Sequence, residues 1–254
     1  MLRKRTDQKF VLAITLVLGM MGFALRFVHQ PGGAPAVWAT VILAVFSAAA
    51  LLLAALSSLG VAPRPAFRRN YRRSPALPAQ VLGALLLTVG AVLRVFTPGV
   101  TAEFWVGVAA LVGALCLAAC AAQTMMGHQP SPVLYMAAAA ALFLKMIPQF
   151  RLWSLDPVIA DYCFRLFAAI AALCLTFHIG GFALETGKRG ITLFWSIACL
   201  FFSVVSLSGG GAAEVIAHLG WAIYSGAEVW LLLAKPKKRR RPKPAQPEPP
   251  QEQQ

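Results

Sequence analysis

The chain has 254 residues, 59% hydrophobic and only 13% charged, with a mean hydropathy of +0.70 and a formal charge of +14. A water-soluble domain carries about 25% charged residues, so this balance excludes a soluble chain. No stretch alternates like a strand, which excludes a β-barrel and leaves an all-α, polytopic integral membrane protein.

Eight apolar runs approach the ~20 residues that cross a hydrocarbon core as helix. They are expected as transmembrane helices at 10–28, 36–60, 77–96, 104–126, 133–147, 157–184, 191–207 and 212–234, packed as antiparallel hairpins because most connections are short. The first run follows "MLRKRTDQK" and resembles a signal peptide, but Arg26 and ten residues separate it from the small-residue stretch Ala34–Ala36. It is read as an uncleaved span. After the second run comes the one long connection, "APRPAFRRNYRRSPALP".

The third run repeats the first. "GFALRFVHQPGG" and "GAVLRVFTPG" each place an arginine, Arg26 and Arg94, four residues after a glycine, with Pro-Gly beyond and a tryptophan, Trp38 or Trp105, opening the next run. The fifth run carries a degraded copy, "LFLKMIP", and the seventh keeps only the glycines of "SLSGGG". This pattern predicts a two-helix unit used four times, every copy in one orientation, unlike the inverted repeats of many secondary transporters. The fifth run is the weakest span: twelve uncharged residues precede Lys145, and Pro148 follows. It crosses if Lys145 snorkels to the interface.

The basic residues set the expected orientation. Eighteen of the 23 Lys and Arg fall before the first run, in the second and sixth connections, or in the tail. The positive-inside rule then puts both termini in the cytoplasm, in a cytoplasmic (plasma) membrane of bacterial type. Residues 235–254 run from polybasic to Pro/Gln/Glu-rich and are expected to be a disordered tail. The expected partners are the bilayer and its anionic headgroups at the basic loops and tail. No nucleic-acid motif accompanies the charge, and an unidentified membrane partner or homo-oligomer stays open.

Charges also gather at the outer run ends. Arg26, Arg94, Lys145 and Arg151 close odd-numbered runs, whereas Glu103, Asp156, Asp161 and Glu214 open even-numbered ones. The simpler reading pairs these charges to pin the hairpins' depth. The functional reading has Arg26, Arg94, Lys145, Arg151, Asp156 and Asp161 converge on an outward-facing site for an anionic or zwitterionic group. "SLDPVIADYCFR" offers Asp156 as a helix cap, Pro157 at the first helical position, and Asp161 four residues before Arg165. Deeper in the inner half lie His178 and Glu228, a candidate proton-linked pair. Glu214 and His218 share a helix face, with capping the expected role.

No catalytic motif occurs, and no cofactor or metal site is expected. Cys116 and Cys120 share a face but have no second ligand pair, so packing is expected. Two functions follow: transport-type binding or movement of a small solute, ion or lipid headgroup at the outer charged cluster, or a non-catalytic partner or sensor subunit acting through its polybasic tail.

Overall fold

In hydrocarbon the backbone has no water to bond, so each apolar run satisfies its N–H and C=O groups within itself, as helix. The computed structural model describes residues 8–29, 37–62, 67, 71, 75–97, 101–153 and 159–234. Of these, 89% are helical and none is in a strand. The helices are α1 (Gln8–His29), α2 (Val37–Leu59), α3 (Leu77–Phe96), α4 (Thr101–Met125), α5 (Pro132–Trp153), α6 (Ile159–Ala183), α7 (Arg189–Val205) and α8 (Ala212–Leu233). All eight are long and apolar enough to cross a membrane, so the fold is an all-α, multi-pass membrane bundle. The tail, residues 235–254, lies outside the described residues.

The fifth helix departs from its expected length. It runs through Pro148 to Trp153 instead of ending near residue 147. A proline removes one helical hydrogen bond, but membrane helices tolerate this where neighbours and local adjustments re-satisfy the freed groups. The result is 22 residues, a full crossing, with Lys145 one turn from Gln149.

Polar residues inside the bundle largely return to their own helices. The hydroxyls of Thr15, Thr124, Thr176, Ser196 and Ser225 each donate to the carbonyl four residues earlier, at 2.6–2.8 Å. A bonded hydroxyl adds no unsatisfied group to an apolar interior.

Six helices close a ring. Going round it, α3, α4, α5, α6, α7 and α8 each pack on the next, and α8 packs back on α3. The hairpin of α1 and α2 leans on α7 from outside. The α3–α8 seam is the tightest, because glycines let the two backbones meet: Gly83 faces the Tyr224 backbone and the Gly220 carbonyl, while Gly90 faces Ala213 and Ala217. Small residues at a crossing are how membrane helices gain van der Waals contact when lipid offers no hydrophobic drive.

Two residues of the α2–α3 connection, Phe67 and Tyr71, are placed at one end of the ring. Phe67 and Tyr71 are buried there, their rings stacked at 4.4 Å, with Tyr71 edge-on to Phe182 of α6.

Candidate functional site

At the opposite end of the ring a cavity opens between α3, α4, α5, α6 and α8. Its wall is built from small residues such as Gly90, Ala91, Ala114, Ala168 and Ala217, and its floor from Leu87, Leu117, Leu142 and Trp221. The space available to water-sized molecules is about 50 Å³. A single water needs roughly 10–15 Å³ by that measure, so the cavity has room for a few waters or one small polyatomic ion.

Six polar side chains line it: Arg94, Lys145, Gln149, Arg165, Glu214 and His218. Glu214 sits in the first turn of α8, where a helix N-terminus favours an acid. Arg94 donates to Oε1 of Glu214 at 3.0 Å, and Arg165 donates to Oε2 at 2.9 Å. One carboxylate thus ties α3 and α6 to α8. The turn before α8 makes this approach possible: Gly210 has φ +112°, in the region that favours glycine, and a Cβ there would collide with the Glu214 carboxylate. The glycines of "SLSGGG" therefore serve a tight entry into α8.

Among the described residues, three bases and one acid line the cavity, and His218 also feels Arg26 along with Lys145, Arg165 and Arg94. Several polar atoms are buried without a hydrogen-bond partner among the described residues, namely Gln149 Oε1, Arg165 Nε and His218 Nδ1. Gln149 is only 6% exposed. Unpartnered buried polar atoms are rare in native interiors and call for an explanation such as an ion or water.

Of the outer residues singled out from sequence, Arg94 and Lys145 line the cavity. Arg26 is 7% exposed, with its guanidinium 5.4 Å from the centre of the Phe164 ring on α6, which is cation–π geometry. It stands behind the cavity instead of lining it. Arg151 is exposed and outside the lining. The side chains of Asp156 and Asp161 lie outside the described residues. Arg165 bonds to Glu214, 49 residues away, while its expected local partner Asp161 has its side chain outside the described residues. Gln149 carried no signal in the sequence, and His218 only the spacing that hinted at a cap.

The inner pair divides. Glu228 is 0% exposed and bonds to Tyr71 and Gln80, not to His178. His178 is half-buried, edge-on to Phe177. Near Glu228, the Arg189 guanidinium donates to the Leu232 carbonyl at the end of α8. Among the described residues no group of His, Cys, Asp and Glu could hold a metal ion. Cys120 is buried in the core, as the packing role requires, and Cys116 packs partly buried against it.

No protein-family model matches the chain, and no curated protein or solved structure matches it.

Proposed function

We propose that this is a small transport-type membrane protein whose cavity binds a small polyatomic anion bearing two charges or a phosphate-like group. The observation that carries this reading is the excess of base over acid around one cavity, where, among the described residues, Arg94, Lys145 and Arg165 are accompanied by one acid, Glu214. Guanidinium groups match tetrahedral and carboxylate oxygens with paired N–H donors. Glu214 holds two of them in place, so an arriving anion would find its donors already aimed, which lowers the ordering cost of binding. The exposed cavity faces outward if the basic connections lie in the cytoplasm, and a plasma-membrane location of bacterial type follows from the same reading.

The same phosphate chemistry is offered by a free ion and by a lipid headgroup. Thermal unfolding of the purified protein with inorganic phosphate, sulfate, succinate or chloride tests the first source, and native mass spectrometry for co-purified phospholipid tests the second. The free-ion reading expects phosphate, sulfate or succinate to raise the unfolding temperature, and chloride to leave it unchanged. Stabilisation by none of them, with phospholipid retained, would move the site to headgroup binding. Stabilisation by none of them, with no phospholipid retained, would overturn the anion reading.

A further inference from the structure

We propose that Glu228 is a proton-binding site, held as the neutral acid in this conformation and coupled to the anion cavity along α8. The site is separate from the outer cavity and stands on its own geometry. The anion reading supplies only the solute whose passage the proton would accompany.

Glu228 is fully buried on α8, two turns from Trp221 in the cavity floor. Its carboxyl meets Tyr71 Oη at 2.9 Å and the Gln80 side-chain amide at 2.5 Å. No Lys or Arg lies within ion-pair distance of it among the described residues. Around it, Tyr224 belongs to α8 itself, Tyr135 to α5 and Cys120 to α4, and all of them are buried. Gln80 is the polar group from α3. On α1, Leu12 lies beside Gly226, two residues before Glu228. From α7, Arg189 directs its guanidinium to the carbonyls of Leu232 and Ala234 beyond Glu228. Among the described residues, an ionised carboxylate here would be a buried charge with no counter-charge, a costly arrangement inside a membrane bundle.

The hydrogen-bond geometry agrees. Turning the Gln80 amide over, a choice made by the surrounding network, lets the carboxyl O–H donate to Gln80 Oε1, which otherwise has no partner. Tyr71 lies outside the helices. Its burial, then the neighbouring Glu228, holds its phenol well above the usual range, so it stays an O–H donor.

The route to the cavity follows from α8. Trp221 packs edge-on to Tyr224 at 5.9 Å, and Tyr224 and Tyr135 both lie within electrostatic reach of Glu228. Their hydroxyls are buried and have no hydrogen-bond partner among the described residues, so neither is bonded to Glu228 or to the other in this conformation. A phenol can both accept and donate in a hydrogen bond, so a water or a side-chain rotation that joined these hydroxyls to Glu228 would connect the acid with the cavity floor.

Infrared difference spectroscopy of the full chain in lipid nanodiscs, at neutral pH, tests this. The wild type should show the carbonyl band of a protonated carboxylic acid, moved by deuterium oxide and absent in Glu228→Gln, which mimics the neutral acid in shape. Tyr71→Phe should retain the band at a shifted frequency, because one hydrogen bond is gone; this second variant keeps the test decisive if Glu228→Gln fails to fold. A wild type without such a band, or one whose band disappears on adding sodium, would overturn the proposal in favour of an ionised or cation-holding carboxylate. Adding inorganic phosphate should shift the wild-type band. A band indifferent to phosphate in protein that binds phosphate would overturn the link to the cavity. Protein that shows the band but binds no phosphate would instead count against the anion reading alone.

Discussion

Arg94, in the last turn of α3, bonds to Glu214, in the first turn of α8, across 120 residues of chain. Arg165 of α6 takes the other oxygen of the same carboxylate. The three groups are largely buried, with side-chain exposures of 12–18%, so they form one unit. Removing its centre strands two cations.

Glu214→Gln is therefore expected to lower stability by roughly 3 kcal/mol, the scale for breaking a buried pair by removing one partner. It should also make the cavity more positive and tighten anion binding. Thermal unfolding and phosphate titration on the same sample check both halves. A loss of stability accompanied by weaker binding would mean that Glu214 matters by aiming the arginines more than by its charge.

Lys145→Gln is expected to weaken phosphate binding about tenfold, equivalent to roughly 1.4 kcal/mol, with little change in folding. Arg151→Gln, whose side chain is exposed and away from the cavity, should leave binding unchanged. Equal effects at both positions would show a diffuse surface field in place of a site.

The α3–α8 seam gives a packing test. A Cβ on Gly83 would lie 2.7 Å from the Tyr224 backbone nitrogen and 2.9 Å from the Gly220 carbonyl oxygen. Backbone cannot rotate aside, so Gly83→Ala should cost about 1–3 kcal/mol through overpacking. At Gly226 the nearest atom would be 3.8 Å away, and Gly226→Ala should be neutral or slightly stabilising through helix propensity. Unfolding midpoints of the two variants in one detergent compare them directly.

Orientation has its own check. Eight crossings would place both termini on one side, and in the proposed orientation the positive-inside rule makes that side the cytoplasm. A fluorescent protein that matures only in the cytoplasm, fused after Gln254, should fluoresce. A dark fusion, with activity from a periplasm-dependent reporter at the same place, would invert the cavity.

Much of the fold was legible because membrane insertion is written in local composition. α3 occupies the same residues, Leu77–Phe96, that its apolar run marks. α5 was less so, since twelve uncharged residues and a proline look too short until neighbouring helices supply the environment that keeps Pro148 helical. The site was half legible. Arg94 and Lys145 stand out as charges at run ends, but their convergence depends on the order of helices round the ring, which periodicity does not encode. Arg165 has an acid four residues before it in sequence, yet its partner comes from α8. Glu228 was conspicuous as a deep acid, but its partners Tyr71 and Gln80 lie 157 and 148 positions away. Tyr71 sits in a segment so rich in arginine that nothing local signals burial. Its place is set by long-range contacts, the Phe182 ring of α6 and the Glu228 carboxyl of α8.

The central claim is that the cavity between α3, α4, α5, α6 and α8 binds a small anion through its excess of base. Isothermal titration of inorganic phosphate into the purified wild type and Lys145→Gln tests it most directly. The account expects one saturable site in the wild type, weakened about tenfold in the variant, with chloride failing to compete at equal ionic strength. No saturable heat in the wild type, or identical isotherms for two equally folded proteins, would contradict it.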